Sequence, residues 1–197
     1  MAAKAPDRRV QRTRQLLQGA LMSLIQEKGY EALTVQDILD RANVGRATFY
    51  AHFDNKEDLL VSRLDGLRAS LQARQRHARQ HGSRHEDRMF AYSRDMFVHV
   101  DEHRTVFRSM VGKRSGAIIQ HLFHKMLVDL VREDVKAVAP AKAAAMGGTP
   151  HEAVAQLIAG GLFGLVLWWV DGPAKLSVEN VDALFRRLAM QALKGIV

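Results

Sequence analysis

The chain has 197 residues, is 47% apolar, carries a formal net charge of +8 and contains no cysteine. The lack of cysteine excludes disulfide bonds and thiolate metal sites, whereas the apolar fraction is enough for a sizeable core and the positive charge suits a polyanionic partner. The amino-terminal residues lack the apolar segment of a secretory signal, so we expect a cytoplasmic protein.

Residues 1–14 are strongly basic, while the segment after them is not. Five basic side chains there accompany a single acid, whereas residues 15–60 carry four basic and seven acidic side chains. The basic arm either contacts a DNA backbone or minor groove, as the basic arms of some DNA-binding proteins do, or is an ordinary solvated terminus. Its basic residues are Lys4, Arg8, Arg9, Arg12 and Arg14.

Residues 34–53 predict two short helices joined by a tight turn. Thr34 can cap the first helix, and Asp37 three residues later completes a capping box in which Asp replaces the preferred Glu. Asn43 and Gly45 tolerate the backbone conformations of a reversal, so the chain can turn there at little steric cost. This pattern fits a DNA-binding unit, and it also fits a helical hairpin whose polar flanks are only solvated.

The second of these helices, predicted from Arg46 to Phe53, has an apolar side and a side of small residues. Phe49 and Phe53 fall together on one side, and two alanines fall on the other. A face of small residues allows close approach to base edges in the major groove, while polar flanks and an ammonium at the next helix start can hold phosphates. The residues predicted to contact DNA are Thr34, Arg46, Ala47, Thr48, Tyr50, Ala51, His52 and Lys56.

Four stretches in the first third of the chain carry a family resemblance: residues 16–30, 33–35, 43–45 and 48–59. On these residues the chain resembles the tetracycline-repressor (TetR) family of one-component transcription regulators. Two positions depart from the family pattern, since Gly45 stands where Ser is more frequent and Asn43 stands where Gly is common. Beyond residue 60 the resemblance is looser and lies mainly in length and helical character.

The resemblance implies an all-α fold of two domains. A three-helix helix-turn-helix head would occupy residues 1–54, and a larger effector-binding and dimerisation domain would occupy residues 55–197. It also implies a homodimer joined by a four-helix bundle of the last two helices, and a small-molecule effector that alters the spacing of two heads on a palindromic double-stranded DNA operator. We therefore expect a ligand-responsive transcriptional repressor, with an activator as the alternative, and no enzymatic activity or cofactor.

Outside the head, the sequence also predicts only helices, because no stretch shows the alternation of apolar and polar residues that is typical of a half-buried strand. Loops are predicted at residues 112–116 and 140–150, where glycine and small residues accumulate. The predicted helices, including the first one of the head, span residues 10–28, 55–79, 85–99, 102–111, 117–138, 151–170 and 178–194.

The helix at 151–170 is apolar almost all round. A membrane span and a helix buried by its own domain and by a partner chain both fit this composition. The next helix is amphipathic and begins after Ser177, which favours a buried dimer helix over a membrane-anchored scaffold. Three glycines would let a partner helix come close. The predicted interface residues are Leu157, Gly160, Gly161, Gly164, Val181, Phe185 and Leu188.

The sequence has no clear pattern for catalysis, since neither a phosphate-binding glycine loop nor an HExxH pattern occurs. Histidine pairs such as His99 with His103 have helical spacing but lack an evident third ligand. We therefore expect solvated or core-edge histidines and no metal site, although a metal-dependent helical enzyme is the alternative.

Aromatic and methionine side chains of the larger domain either pack its core or line an effector pocket. Both residue types form adaptable apolar cavities, so an effector pocket is the functional interpretation. The candidate pocket residues are Tyr92, Met96, Phe107, Met110, Phe123, Met126, Phe163 and Trp168.

Overall fold

The computed structural model describes residues 8–82, 84–110, 117–138, 151–172 and 176–194. Every regular element within these ranges is a helix, which confirms the all-α class. Both predicted loops and arm residues 1–7 lie outside the described residues. The helices are α1 Arg8–Lys28, α2 Val35–Ala42, α3 Arg46–Tyr50, α4 Lys56–His81, α5 His85–Arg88, α6 Ser93–Glu102, α7 Arg104–Met110, α8 Ala117–Val138, α9 His151–Asp171 and α10 Val178–Lys194.

The head consists of α1, α2, α3 and the first turns of α4. The apolar stripe of α1, including Leu17 and Leu21, is buried as predicted, and α1 ends at Gly29 with a left-handed φ of 79°. Two side chains from later in the chain complete this core, Val106 of α7 and Ile119 of α8. The hydrophobic core of the head therefore includes side chains from α7 and α8, which join the head to the larger domain.

Helix α4 belongs to both parts of the molecule. It begins at Asn55, whose side-chain oxygen accepts a backbone N–H at 2.8 Å. Leu59 and Leu60 lie in the core of the head, whereas Leu67 and Leu71 lie in the core of the larger domain. The domain boundary after residue 54 stays a prediction, and the first turns of α4 pack with the head.

The single helix predicted over residues 85–99 is wrong, because the chain breaks into α5 and α6 around Phe90. Phe90 has a φ of 52°, a conformation that bulky side chains rarely adopt. Its N–H donates to the buried Asp134 carboxylate at 2.9 Å, and its carbonyl accepts the Ser93 hydroxyl at 2.7 Å. Burial raises the pKa of Asp134, although Arg79 donates to this carboxylate at 2.9 Å. These hydrogen bonds offset the backbone strain.

Helix α9 is the centre of the larger domain and packs against both α8 and α10. Among the described residues it is the one helix long and apolar enough to cross a membrane, a test that a buried core helix also passes. One side of α9, including Leu162 and Val166, is buried in the domain. The opposite side is equally apolar but exposed, so α9 presents a hydrophobic surface that its own chain does not cover.

Candidate nucleic-acid interface

Helix α3 presents a face of small side chains to solvent. Phe49 and Phe53 are buried, and their rings lie 5.9 Å apart between centroids. Ala47, Thr48 and Ala51 are exposed on the other side. The small-residue face is therefore not covered by the described part of the chain.

Helix α3 is shorter than predicted, since it ends at Tyr50 and not at Phe53. Helical hydrogen bonds nevertheless continue for about one more turn. The N–H of Ala51 donates to the Ala47 carbonyl at 3.1 Å, and the N–H of Phe53 donates to the Phe49 carbonyl at 2.9 Å. The following residues then turn to cap α4.

The turn before α3 forms as the sequence predicts. Asn43 adopts a left-handed conformation with φ 52° and ψ 49°, and Gly45 is the extended N-cap of α3 without a side-chain hydrogen bond. At the start of α2, the Thr34 hydroxyl accepts the N–H of Asp37 at 3.2 Å, and the Thr34 N–H donates to the Asp37 carboxylate at 2.8 Å. The capping box is therefore confirmed and sets the direction of α2 beneath α3.

The acid of this capping box is neutralised by its neighbours. The Lys28 ammonium lies 2.8 Å from the Asp37 carboxylate, and together with Thr34 it holds the pKa of that carboxyl well below its usual value. Thr34 itself is exposed, yet its hydroxyl also donates to Asp37 at 2.7 Å. A phosphate oxygen can only accept, and this hydroxyl has one donor, so the predicted phosphate contact of Thr34 would have to replace its bond to Asp37.

Polar side chains flank the exposed face of α3. The Arg46 guanidinium donates to the Gln36 amide oxygen at 2.8 Å, and Gln36 in turn donates to Asp40 at 2.7 Å. Tyr50 is exposed and meets the edge of Phe49, while His52 is half-buried. The sequence analysis did not identify Gln36, although its position one turn before Asp40 on the exposed side of α2 is a signal for this pairing.

Lys56 has a role inside the head that its sequence context did not indicate. Its ammonium donates to the Leu33 carbonyl at 2.8 Å and to the Tyr30 carbonyl at 3.2 Å, and it lies 4.6 Å from the centre of the Tyr30 ring. Two of its three N–H donors thus tie α4 to the loop between α1 and α2. The predicted phosphate contact of Lys56 has at most the third donor.

Much of the basic arm is part of α1. Arg8, Arg9, Arg12 and Arg14 all lie within this helix, which begins two residues before its predicted start at residue 10. Arg14 lies over the Phe53 ring at 5.5 Å from its centroid, which is a cation–π contact that holds it beside α3. Lys4 lies outside the described residues.

Three of the predicted effector residues meet in the larger domain. Phe107, Phe123 and Phe163 form a chain of ring contacts, with centroid distances of 5.2 Å and 6.4 Å, around a cavity of about 20 Å³. That volume holds about one water molecule, so an effector could enter only by separating these rings. Ile119, which also belongs to the core of the head, lines the same cavity.

The other predicted effector residues lie elsewhere. Tyr92 and Met96 are fully buried in the core, and Met126 lines a separate groove of about 240 Å³ between α4 and α8. Trp168 is 46% exposed and lines a groove between α9 and α10, apart from the other candidates, so its role in an effector pocket stays a prediction. The side chain of Met110 lies outside the described residues.

The exposed side of α9 forms an apolar groove with α10. The groove has a volume of about 420 Å³, and Leu157 and Leu188 at its sides are 67% and 56% exposed. A Cβ added to any of the three predicted glycines would contact nothing within 4 Å, which leaves room for a close helix. The glycines are Gly160, Gly161 and Gly164.

Two predicted interface residues are buried within their own chain. Val181 is fully buried, and the Phe185 ring packs against Phe90 and Phe97 at centroid distances of 5.4 Å and 6.5 Å. Because α10 turns this apolar stripe towards α6, Val181 is not available to a partner chain, whereas Phe185 also lines the groove. The interface prediction is therefore wrong for Val181 and stays a prediction for Phe185.

Two family models match the chain and together span most of it. Residues 17–62 match the model described as bacterial regulatory proteins, tetR family. Residues 87–191 match the model described as transcriptional regulator C-terminal region. The second match alone covers more than half of the chain.

A curated relative agrees with the match of the head. The uncharacterized HTH-type transcriptional regulator YxbF of Bacillus subtilis (strain 168) is 50% identical over 58 residues, which is 29% of this chain. The matched stretch spans only 15% of the length of that relative.

Solved structures share the fold over nearly the whole chain. A TetR-family transcriptional regulator from Syntrophomonas wolfei str. Goettingen has a TM-score of 0.76 at 19% identity, covering 95% of this chain and 97% of the other. Thermus thermophilus FadR, a TetR-family transcriptional repressor in complex with lauroyl-CoA, has a TM-score of 0.56 at 19% identity, covering 91% and 94%. With its helix-turn-helix head, its two family matches and this shared fold, the chain belongs to the TetR family of helix-turn-helix transcriptional regulators.

Proposed function

We propose that this protein is a homodimeric repressor that binds a palindromic DNA operator and leaves it when a small molecule binds the larger domain. The observation that carries the proposal is the exposed face of α3, where Ala47, Thr48 and Ala51 project from a helix anchored by two buried phenylalanines. An exposed side of a helix with such small residues can lie deep in a major groove. The helix is also rigidly mounted, as an element that selects base pairs has to be.

Some residues around α3 would contact bases, and others would contact phosphates. Arg46 would exchange its bond to Gln36 for a base edge, and Thr48 would contact a neighbouring base. Tyr50, His52 and Thr34 would hold phosphates on either side of the groove. Lys56 would contribute chiefly by fixing the position of α4 against the rest of the head.

A second copy of the chain would dock on the groove between α9 and α10. Leu157 and Leu188 are large apolar side chains that are mostly exposed, and the glycines between them leave room for a close helix. A two-fold arrangement of two α9–α10 pairs would cover both grooves at once and carry two heads. Two heads on successive major grooves require half-sites separated by roughly 34 Å, or a multiple of it. The protein would act on DNA in the cytoplasm.

The effector would act through α7 and α8, which touch both the aromatic cavity and the head. Phe107 lines the cavity, and Val106 beside it on α7 is buried in the head's core. A ligand that separated the rings of Phe107 and Phe123 would thus displace α7 against α1, on which it packs. The ligand can release DNA only if it binds this displaced arrangement more tightly. Thermus thermophilus FadR, a repressor of this fold, is in complex with lauroyl-CoA, whose acyl chain is apolar, and this supports a ligand with an apolar part for the present chain.

Selection of bound sites from random double-stranded oligonucleotides, followed by quantitative footprinting, tests the proposal. We expect a two-fold symmetric site and a fall in affinity of roughly 10³–10⁵-fold between 50 and 200 mM salt, as for about 6–10 phosphate contacts. Ala47→Glu should abolish binding, whereas Ala137→Glu on the exposed side of α8 should not. A flat salt response, or equal binding by both variants, would refute the proposed function.

A further inference from the structure

Three metal-ligating side chains meet where α6 ends. His99, Glu102 and His103 each offer one ligand atom, and these atoms lie within 4.8 Å of one another. The spacing i, i+3 and i+4 places all three on one face of the helix. The sequence analysis expected no metal site, because it paired the two histidines without the glutamate between them.

The orientation of His103 suits metal binding. Its Nδ1 atom lies 3.0 Å from the His99 carbonyl oxygen, so a proton on Nδ1 leaves the lone pair on Nε2 for a ligand. The half-buried His99 ring stacks on that of His103 at 4.3 Å between centroids, which keeps the two rings together.

The separation of the three ligand atoms is compatible with one shared ion. With metal–ligand distances of about 2.0–2.2 Å, tetrahedral ligand atoms lie roughly 3.4 Å apart, so side-chain movements of about 1–1.5 Å would bring these atoms, now within 4.8 Å of one another, to that separation. Two imidazoles and one carboxylate suit Zn²⁺ and its neighbours in the first transition series. The partial negative charge at the end of α6 and the Glu102 carboxylate would balance the nearby positive charge of Arg63.

We propose that His99, Glu102 and His103 bind one divalent transition-metal ion of the Zn²⁺ class, with water or an exogenous ligand completing its coordination. All three ligands lie on the last turn of α6 or at its C-cap His103, so the ion would hold this last turn in helical geometry directly before α7. Val106, three residues later, is buried in the core of the head. By restricting movement at the junction of α6 and α7, metal binding would change the position of α7 against the head and so the DNA affinity, a consequence that rests on the proposed function.

The chain contains a matched control for this site. His77 and His81 on α4 have the same spacing, and their rings stack at 4.4 Å, compared with 4.3 Å for His99 and His103. The Nδ1 atom of His81 likewise lies 3.0 Å from the carbonyl of the residue one turn earlier. Among the described residues, only the α6 pair has a third ligand group within reach.

The test uses the full-length protein without an affinity tag, titrated with Zn²⁺ by calorimetry and with Co²⁺ by visible absorption. We expect one ion per chain, a tetrahedral Co²⁺ spectrum, and a loss of affinity of at least tenfold in Glu102→Gln and in His103→Gln. The double variant His77→Gln/His81→Gln should bind as the wild type does. Absence of stoichiometric binding, or an equal loss in the α4 double variant, would overturn the site.

The regulatory consequence is measured separately, as operator affinity with and without one equivalent of Zn²⁺. We expect a change of at least fivefold that disappears in Glu102→Gln, in line with typical coupling between sites. Metal binding that leaves operator affinity within twofold would overturn the regulation. If the protein bound no DNA in either state, the proposed function would fail, while the Co²⁺ spectrum would still decide whether the metal site exists.

Discussion

Replacing Leu188 with glutamate should dissociate the dimer. The side chain is 56% exposed in the single chain, at the side of the groove between α9 and α10. Complete burial of a leucine contributes about 1.5–3 kcal/mol, so covering the exposed part would contribute about 0.8–1.7 kcal/mol per protomer. In a two-fold symmetric interface the residue occurs twice, which gives about 1.7–3.4 kcal/mol per dimer, or roughly a 20- to 300-fold change in the dissociation constant.

Sedimentation velocity over a concentration series measures this dissociation constant directly. Leu16→Glu is the matched control, because Leu16 is 47% exposed on α1, far along the chain from the proposed interface. We expect the control to dimerise as the wild type does, while the Leu188 variant shifts to monomer and loses operator affinity with it. The reasoning would be refuted by a wild type that stays monomeric at tens of micromolar, or by a Leu188 variant whose dissociation constant changes less than threefold.

Three substitutions probe the fold that supports the site, each followed by urea unfolding. Thr34→Ala removes the cap of α2 and should cost about 1 kcal/mol of stability; no change would mean that the capping box is not formed in solution. Phe49→Ala should cost about 3–5 kcal/mol because the ring is fully buried, and a smaller effect than that of Thr34→Ala would contradict the anchoring of α3. Asp134→Ala leaves the N–H of Phe90 without its buried acceptor and should cost about 1–3 kcal/mol, whereas Asp129→Ala on the half-buried side of α8 should cost less.

The head could be predicted in detail because its signals are local. The capping box of Thr34 with Asp37, the left-handed turn at Asn43 and the burial of Phe49 each depend on residues within one or two helical turns. Such short-range patterns fix the direction of α2 and α3 before any tertiary contact is known. The exposed face of α3 then follows from the position of its phenylalanines.

The features that could not be predicted depend on contacts between distant parts of the chain. The break at Phe90 requires the Asp134 carboxylate, 44 residues later in the sequence. The two acceptors of the Lys56 ammonium, the carbonyls of Tyr30 and Leu33, precede it by 26 and 23 residues. Neither interaction has a sequence pattern of its own.

Helix α9 shows a different limit. Because it is apolar nearly all round, its periodicity does not indicate which side faces its own domain; of two adjacent tryptophans, Trp169 is buried and Trp168 is 46% exposed. The amphipathic stripe of α10 was assigned to a partner chain, but Val181 packs within its own chain. A hydrophobic stripe predicts burial without specifying the surface that buries it.

The account depends above all on α3 entering a DNA groove, and site-specific cross-linking measures this directly. The chain has no cysteine, so Ala47→Cys introduces a single attachment point for a photoactivated cross-linker on the exposed face of α3. Ala137→Cys is the control, roughly 27 Å along α8 from Ile119 at the core of the head. We expect Ala47→Cys to label bases at two symmetry-related positions in the major groove and Ala137→Cys to label none. Equal labelling from both positions, or none from position 47 in a protein that still binds the duplex, would contradict the account.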